Sequence, residues 1–445
     1  MRCLLGLASF MIVSMVVQTL YSLIDLYWVG SLGAESQAAV TISANLVFVA
    51  IALGNALSGG AAALVAQAIG AKDSPRADRV FNQAIGLGAV TMVIFATLGW
   101  SLEGAYAHAF AADAGTARLI DSYLFWFIPS MALQYPIGAA AACLRGAGSM
   151  RPAMLVQIGS LVLNMVLAPL LIFGWLGLPV LGVAGAGLAT FLATIAAGLA
   201  LAYYLIRRCR FLHLDPSGMS PRADLAWAIL KIGLPSTVEY ALMALYLFFI
   251  TGLLAGFGAA QQAAFGISQR VAQAGMMPAV ALSFAAAAVV GQNYGANRPE
   301  RVREAFVACV KLSLCFLVPA FAVMQLVPET LIGLFSTDRA VLVDGVEILR
   351  ITSLNFLAVS LGMSCFGVLS GLGNTVPTLV SSAARIALVV APTSWLATLP
   401  GFRPVWLWEI SVAAQFVQVG LNLYFLRREF DRRLGSPAIA VAPAQ

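Results

Sequence analysis

The sequence predicts an all-α membrane protein of twelve transmembrane helices, arranged as two six-helix lobes related by a parallel internal repeat. Three observations carry this. Of the 445 residues, 61% are hydrophobic and 10% charged, with a mean hydropathy of +0.92. A soluble globular chain carries about 25% charged residues, and one soluble core does not hide this much apolar surface. The apolar residues fall into twelve stretches of bilayer-spanning length. Finally, the two halves share glycine, glutamine, proline and serine positions at one constant offset.

The first six spans are Leu4–Val29, Val40–Ile69, Val80–Trp100, Leu119–Leu144, Ala153–Trp175 and Leu181–Ile206. The second six are Leu225–Leu254, Ala264–Val290, Ala305–Val327, Ile348–Leu369, Val376–Leu396 and Val405–Leu426. Several exceed the ~20 residues needed to cross, which allows tilt. The first apolar run follows Arg2 as a signal peptide would, but no small-residue cleavage site follows it, and Gln18, Tyr21 and Asp25 interrupt its far end. It reads as a spanning helix, and it begins so close to Met1 that a start further upstream stays open. The hydrophilic stretch 213–224, with Pro216, Gly218 and Pro221, joins the lobes. The resulting domains are an N-terminal lobe over 1–210, a linker over 211–224, a C-terminal lobe over 225–430 and a tail over 431–445.

Charge sets the orientation. Arg2, the Lys72–Arg79 loop, Arg145 and Arg151, Arg207–Arg222, Arg298–Arg303 and Arg427–Arg433 all lie on alternate loops. The opposite loops hold Glu35, Glu103, Asp113, Asp121, Glu329, Asp338 and Asp344. The positive-inside rule then places both termini in the cytoplasm, with the protein in the cell inner (plasma) membrane. The net charge of +6 belongs to these short loops, so it points to the bilayer rather than to nucleic acid.

The repeat is the sharpest signal. Gly33-Ala-Glu-Ser-Gln-Ala-Ala-Val-Thr-Ile-Ser43 aligns with Gly258-Ala-Ala-Gln-Gln-Ala-Ala-Phe-Gly-Ile-Ser268. Gln67-Ala-Ile-Gly-Ala71 aligns with Gln292-Asn-Tyr-Gly-Ala296, and Gly146, Gly148 and Pro152 with Gly371, Gly373 and Pro377. The separation is 225 residues in every case (33 to 258, 67 to 292, 146 to 371). Six is an even number, so both copies enter the membrane in the same sense and are related by an axis along its normal.

Much chemistry is excluded. The six cysteines form no CxxC pair, and His108 and His213 stand isolated, as loop or interface residues do. None of Lys72, Lys231 and Lys311 follows a glycine, so there is no phosphate-binding loop for ATP, and HExxH and paired-carboxylate motifs are lacking. The glycines of Gly182-Val-Ala-Gly-Ala-Gly187 suit close helix contact better than a nucleotide.

Asp25 stands out among the polar residues within the spans. A carboxylate in the bilayer costs at least about 2.5 kcal/mol and should face a cavity or a partner. Gln18, Tyr21, Ser22 and Asp25 share one helical face, as a hydrated pathway requires. The alternative is an interfacial carboxylate, since Gly30 follows soon. Asn164 and Thr190 in spans five and six either join this pathway or cross-link helices. Glu239, four residues after Pro235, is a second titratable site or a gate residue; Glu409 is a weaker one, and Arg270 and Arg385 read as structural.

Taken together, these residues resemble the multidrug and toxic compound extrusion (MATE) family over nearly the whole chain. The marks are Tyr21-x-x-x-Asp25 leading to Val29-Gly-Ser-Leu-Gly33, Gln67-x-x-Gly-Ala71, Arg145-Gly-x-Gly148, Leu163-Asn164, Gly182-Val-x-Gly-Ala186, Gly233-Leu-Pro235 and, most specific, Gly291-Gln-Asn-Tyr-Gly-Ala296. Span ten has no deep acidic residue, which looks closer to the DinF-like branch. The resemblance implies the fold of that superfamily, MOP: a V of two lobes that rock about a central cavity. It implies an antiporter exporting cationic or amphipathic organic compounds, with no cofactor, no bound metal and no nucleic-acid partner, acting as a monomer. The coupling cluster would be Asp25, Tyr21, Asn164, Thr190 and Tyr123, with Gln18 and Glu239 at the substrate cavity. Many relatives carry an acid four residues after the asparagine, where this chain has Ala168; that favours H⁺ as coupling ion, with Na⁺ the alternative. Two rival readings are a lipid-precursor flippase of the same superfamily, which usually has fourteen spans, and an integral-membrane enzyme, for which no reactive constellation is visible.

Overall fold

The structure is a computed structural model; it describes residues 6–435 apart from 7–8, 15, 19–23, 25–27, 30, 44, 112, 178, 210 and 221. Tyr21, Ser22 and Asp25, with half of the first span, lie outside the described residues. Among the described residues the regular structure is all helix. In the first half it comprises α1 (Ala34–Ser43), α2 (Asn45–Gly70), α3 (Ser74–Phe110), α4 (Ala114–Gly146), α5 (Met150–Phe173) and α6 (Val183–Arg207). In the second half it comprises α7 (Ala223–Ala255), α8 (Ala259–Gly295), α9 (Pro299–Leu326), the short α10 (Pro328–Gly333), α11 (Arg339–Ser353), α12 (Asn355–Gly371), α13 (Val376–Leu396) and α14 (Pro404–Leu434).

Nine helical segments among the described residues are long and apolar enough to cross a membrane, and α11 with α12 makes a tenth as a bent pair. The 31-residue α14 is the last predicted span; Glu409, Gln415, Gln418 and Asn422 dilute its apolar character. Helix starts are capped as their sequences dictate. The Asp73 carboxylate accepts the Arg76 N–H at 3.0 Å, and Asp113 accepts the Thr116 N–H at 2.8 Å.

Span ten departs from expectation. Its helix begins at Arg339 rather than Ile348 and bends by 46° after Ser353, so Asp344 sits on a helix and not in a loop. The bend has a local cause. The Gln325 amide donates to the Arg350 carbonyl at 2.7 Å, and the Ser353 hydroxyl donates to the same oxygen at 3.0 Å. Occupied twice, that carbonyl is not the acceptor of the Leu354 N–H, which turns to Ile351 at 3.2 Å.

The connection between the halves is a strap, not a slack linker. Asp78 accepts the His213 N–H at 2.9 Å and faces its ring Nδ1 at 3.0 Å. Asn82 donates to the His213 carbonyl and accepts the Asp215 N–H, both at 2.9 Å, while Gln83 accepts the Arg222 N–H at 3.1 Å. Leu212 is fully buried beneath it. The strap is thus fastened along α3 from His213 to Arg222.

The halves meet where α2 crosses α7 and α8. Glycines allow backbone to touch backbone there: a Cβ on Gly60 would lie 2.0 Å from the Ile229 carbonyl oxygen, and one on Gly233 would lie 1.7 Å from that of Ala56. Gly70 faces the Gln292 carbonyl and Gly295 faces that of Gln67 in the same way. The Thr237 hydroxyl donates to the Ala52 carbonyl at 2.9 Å. These contacts occupy α2 from Ala52 to Gly70, toward the end that adjoins Lys72 in the loop and Arg76 and Arg79 at the start of α3.

Candidate functional site: a polar cluster in each half

In the first half, α4, α5 and α6 pack closely because Gly185 and Gly187 on α6 admit the carbonyls of Leu171 and Tyr123. This close packing brings Asn164 and Thr190 together. The Asn164 amide donates to the Thr190 hydroxyl at 3.0 Å, and that hydroxyl donates to the Ala186 carbonyl at 3.0 Å. One turn along, Thr194 donates to the Thr190 carbonyl and meets the Ser130 hydroxyl at 3.0 Å. Ser160 donates to the Ala193 carbonyl at 3.0 Å. The result is a column of small polar groups inside an apolar bundle.

Asn164 is 4% exposed, and its Oδ1 is buried with no partner among the described residues. A buried acceptor left without a donor costs about 1–3 kcal/mol. Tyr123 is buried nearby, stacked on Phe127 with 4.8 Å between centroids, in the same apolar cluster as Ala168.

The second half holds a different cluster, spread over α7, α13 and α14. Ser382 donates to the Glu239 carboxylate at 2.5 Å, and Gln418 donates to the Ser382 hydroxyl at 2.8 Å. Ser381 donates to Asn422 at 2.5 Å. The Arg385 guanidinium lies 5.1 Å over the Tyr246 ring, and the Tyr246 hydroxyl meets Ser411 at 3.0 Å. Glu239 is therefore held by a hydroxyl bridge across three helices rather than set in lipid. The sequence did not reveal Ser382 and Gln418 as its partners, because serines in apolar helices commonly satisfy themselves on an i−4 carbonyl.

Gln18 lies elsewhere. The Gln157 amide approaches its carbonyl oxygen at 3.4 Å, and both line a cavity of about 240 Å³ with Arg145, Met11, Met150 and Met154. Asn164 and Glu239 do not line it. Among the described residues no group of three or more His, Cys, Asp or Glu could hold a metal ion.

Comparison with known proteins places these features in a family context. The MatE family model matches residues 11–170 and 235–396, one segment in each half. The chain is 28% identical to the probable multidrug resistance protein YoeA of Bacillus subtilis (strain 168), over 78% of this chain and 76% of that protein. It is 25% identical to the multidrug export protein MepA of Staphylococcus aureus (strain N315), over 94% and 92%. Among solved structures, an outward-facing multidrug resistance MATE family transporter of the MOP superfamily superposes with a TM-score of 0.89, at 24% identity, over 97% of this chain and 96% of that one. A MOP superfamily transporter from Pyrococcus furiosus gives the same values.

Proposed function

The chain belongs to the MatE family, and from that premise we propose that it is a secondary active antiporter, exporting cationic or amphipathic organic compounds in exchange for protons by alternating access. The family is one of membrane transporters and not of enzymes. The relatives named for multidrug resistance and export support the substrate class.

The observation that carries the coupling proposal is the buried Asn164 Oδ1, which has no partner among the described residues of the first-half column. Its amide is already fixed on Thr190, so only a donor or cation completes it. We assign that donor to the polar face of span one, with Asp25 as the group that takes and releases the proton and Tyr21 beside it. Protonated Asp25 would hydrogen-bond into the column; ionised, it would favour a cationic substrate. Proton and substrate then bias opposite states, as antiport requires. Ala168, 1% exposed, supplies no side-chain oxygen four residues from Asn164, which supports protons over Na⁺. The positive-inside rule puts the Arg-bearing end in the cytoplasm. On that orientation the seam along α2 would be the closed inner gate.

Counterflow in proteoliposomes with separately imposed pH and Na⁺ gradients tests this. Asp25→Asn should insert and fold normally but lose proton-driven export, while Glu239→Gln should matter less. If Asp25→Asn exports as well as the parent under a pH gradient and Glu239→Gln does not, coupling belongs to the second half.

A further inference from the structure

We propose that Gln67 and Gln292 are positioning residues for transport: a crossed latch that holds the Arg-bearing end of the molecule shut and lets go once in each cycle. The proposal rests on the alternating-access reading above. Its starting point is the 225-residue repeat, which the coupling chemistry leaves unexplained. Counted at that offset, Asp25 corresponds to Ile250, Asn164 to Val389 and Glu239 to Ser14. The groups that carry chemistry have thus diverged between the halves. Gln67, Gly70, Gly146 and Gly148 have not, for their counterparts are Gln292, Gly295, Gly371 and Gly373.

The structure brings these eight residues together across the seam. The Gln67 amide of α2 donates to the Gly371 carbonyl at 3.0 Å, and the Gln292 amide of α8 donates to the Gly146 carbonyl at 2.8 Å. Both bonds join opposite halves, and each acceptor is the last residue of its helix, α12 or α4. The turns that end those helices are the same. Ala147, Gly148 and Ser149 return to the carbonyls of Cys143, Arg145 and Leu144, while Leu372, Gly373 and Asn374 return to those of Val368, Ser370 and Leu369. In both turns the final glycine carbonyl is left over. An unpaired carbonyl at the negative end of a helix dipole favours an N–H donor, and the glutamine of the other half supplies it.

The glycines make room for this exchange. Gly148 and Gly373 stand at φ +82 and +76, where a side chain is strained. A Cβ on Gly148 would lie 3.1 Å from the Gln292 amide nitrogen, and one on Gly373 would lie 3.2 Å from that of Gln67. Gly70 and Gly295 let the two glutamine-bearing backbones touch. The contact is isologous, each half giving what the other receives, so both bonds form in the same closure and break in the same opening. A neutral amide suits this duty. It is strong enough to bias two states, yet when the halves part, both the amide and the glycine carbonyl can turn to water at the membrane surface.

The test uses the full-length protein in lipid nanodiscs, in a background free of reactive cysteines, with spin labels at Ser74→Cys and Glu300→Cys. Both positions are exposed, in the first turns of α3 and α9. Distances between the labels under imposed pH report closed and open populations. Methionine keeps the volume of glutamine but donates nothing, whereas lysine keeps a donor. Q67M/Q292M should raise the open-to-closed ratio by roughly three- to tenfold for each glutamine replaced, and Q67K/Q292K should return it toward the parent. The single variants read the roughly three- to tenfold change of one glutamine if the double one does not fold. A parent with two populations whose ratio the methionine variants leave unchanged, or methionine and lysine variants that shift it equally, overturns the latch alone. A parent with one distance under every condition overturns the alternating-access reading and the latch with it.

Discussion

Gly233→Ala concentrates on one atom what the seam between the halves requires. The added Cβ would stand 1.7 Å from the Ala56 carbonyl oxygen, 2.5 Å from its carbon and 2.8 Å from its Cα. An ordinary carbon-to-oxygen contact needs about 3.3–3.6 Å. No side-chain rotation relieves the clash, because the three nearest atoms are all backbone, so α7 must part from α2 by roughly 1.5 Å or more. Forced overpacking of this kind costs about 1–3 kcal/mol. The burden falls on the closed seam and disappears when the halves separate. It therefore shifts the ratio of open to closed forms by about 5- to 150-fold, instead of merely lowering stability. The Ser74/Glu300 label pair should report a gain in the long distance, with a lower melting midpoint for the closed form. Gly159→Ala is the control, since a Cβ there meets nothing within 4 Å among the described residues. A Gly233→Ala protein with the parental distance distribution and melting midpoint would refute the close-packed seam, and so would a Gly159→Ala protein that changes as much.

Three further outcomes are expected. Asn82→Ala removes a side chain that ties His213 and Asp215 to α3, so amides across residues 212–219 should exchange faster, by roughly tenfold for each 1.4 kcal/mol lost; unchanged exchange would mean that Asp78, Gln83 and the buried Leu212 hold the strap without Asn82. Asn164→Ala deletes one interhelical hydrogen bond, worth about 0.6 kcal/mol in a membrane, and should leave melting nearly unchanged while lowering pH-driven export in proteoliposomes; parental export would remove Asn164 from the coupling column. The Thr116 N–H, first, and its hydroxyl hold the Asp113 carboxyl below its ordinary range. The stabilisation this gives the first turn of α4 is fully present above the unfolded value of about 3.9 and is lost as pH falls through the lower folded value. Protection of the amides at 114–117, followed by hydrogen exchange, should therefore weaken only in strong acid, and an onset near neutrality would contradict the cap.

Long-range geometry separates what was legible in the sequence from what was not. Composition fixed the solvent: with 10% charged residues the chain must bury its backbone polar groups in helices, and the spacing of apolar runs sets where these cross. The constant offset of 225 revealed two like-oriented halves, because repeated glycine, glutamine and proline positions survive where alanines carry no information. Asn164 and Thr190 could be paired on paper only through resemblance, and the distance between them comes from glycines that seat α6 against α4 and α5. The break in span ten was invisible because its cause, the Gln325 amide on the Arg350 carbonyl, lies 25 residues away in the chain. Glu239 stood alone until folding set Ser382 and Gln418 beside it, 143 residues beyond it in one case. The strap read only as a linker, since Pro216 and Gly218 mark a turn but not the Asp78, Asn82 and Gln83 side chains that receive it. Local propensity and periodicity are properties of neighbouring residues, whereas a side-chain hydrogen bond across 25, 143 or 304 positions is decided only when helices pack.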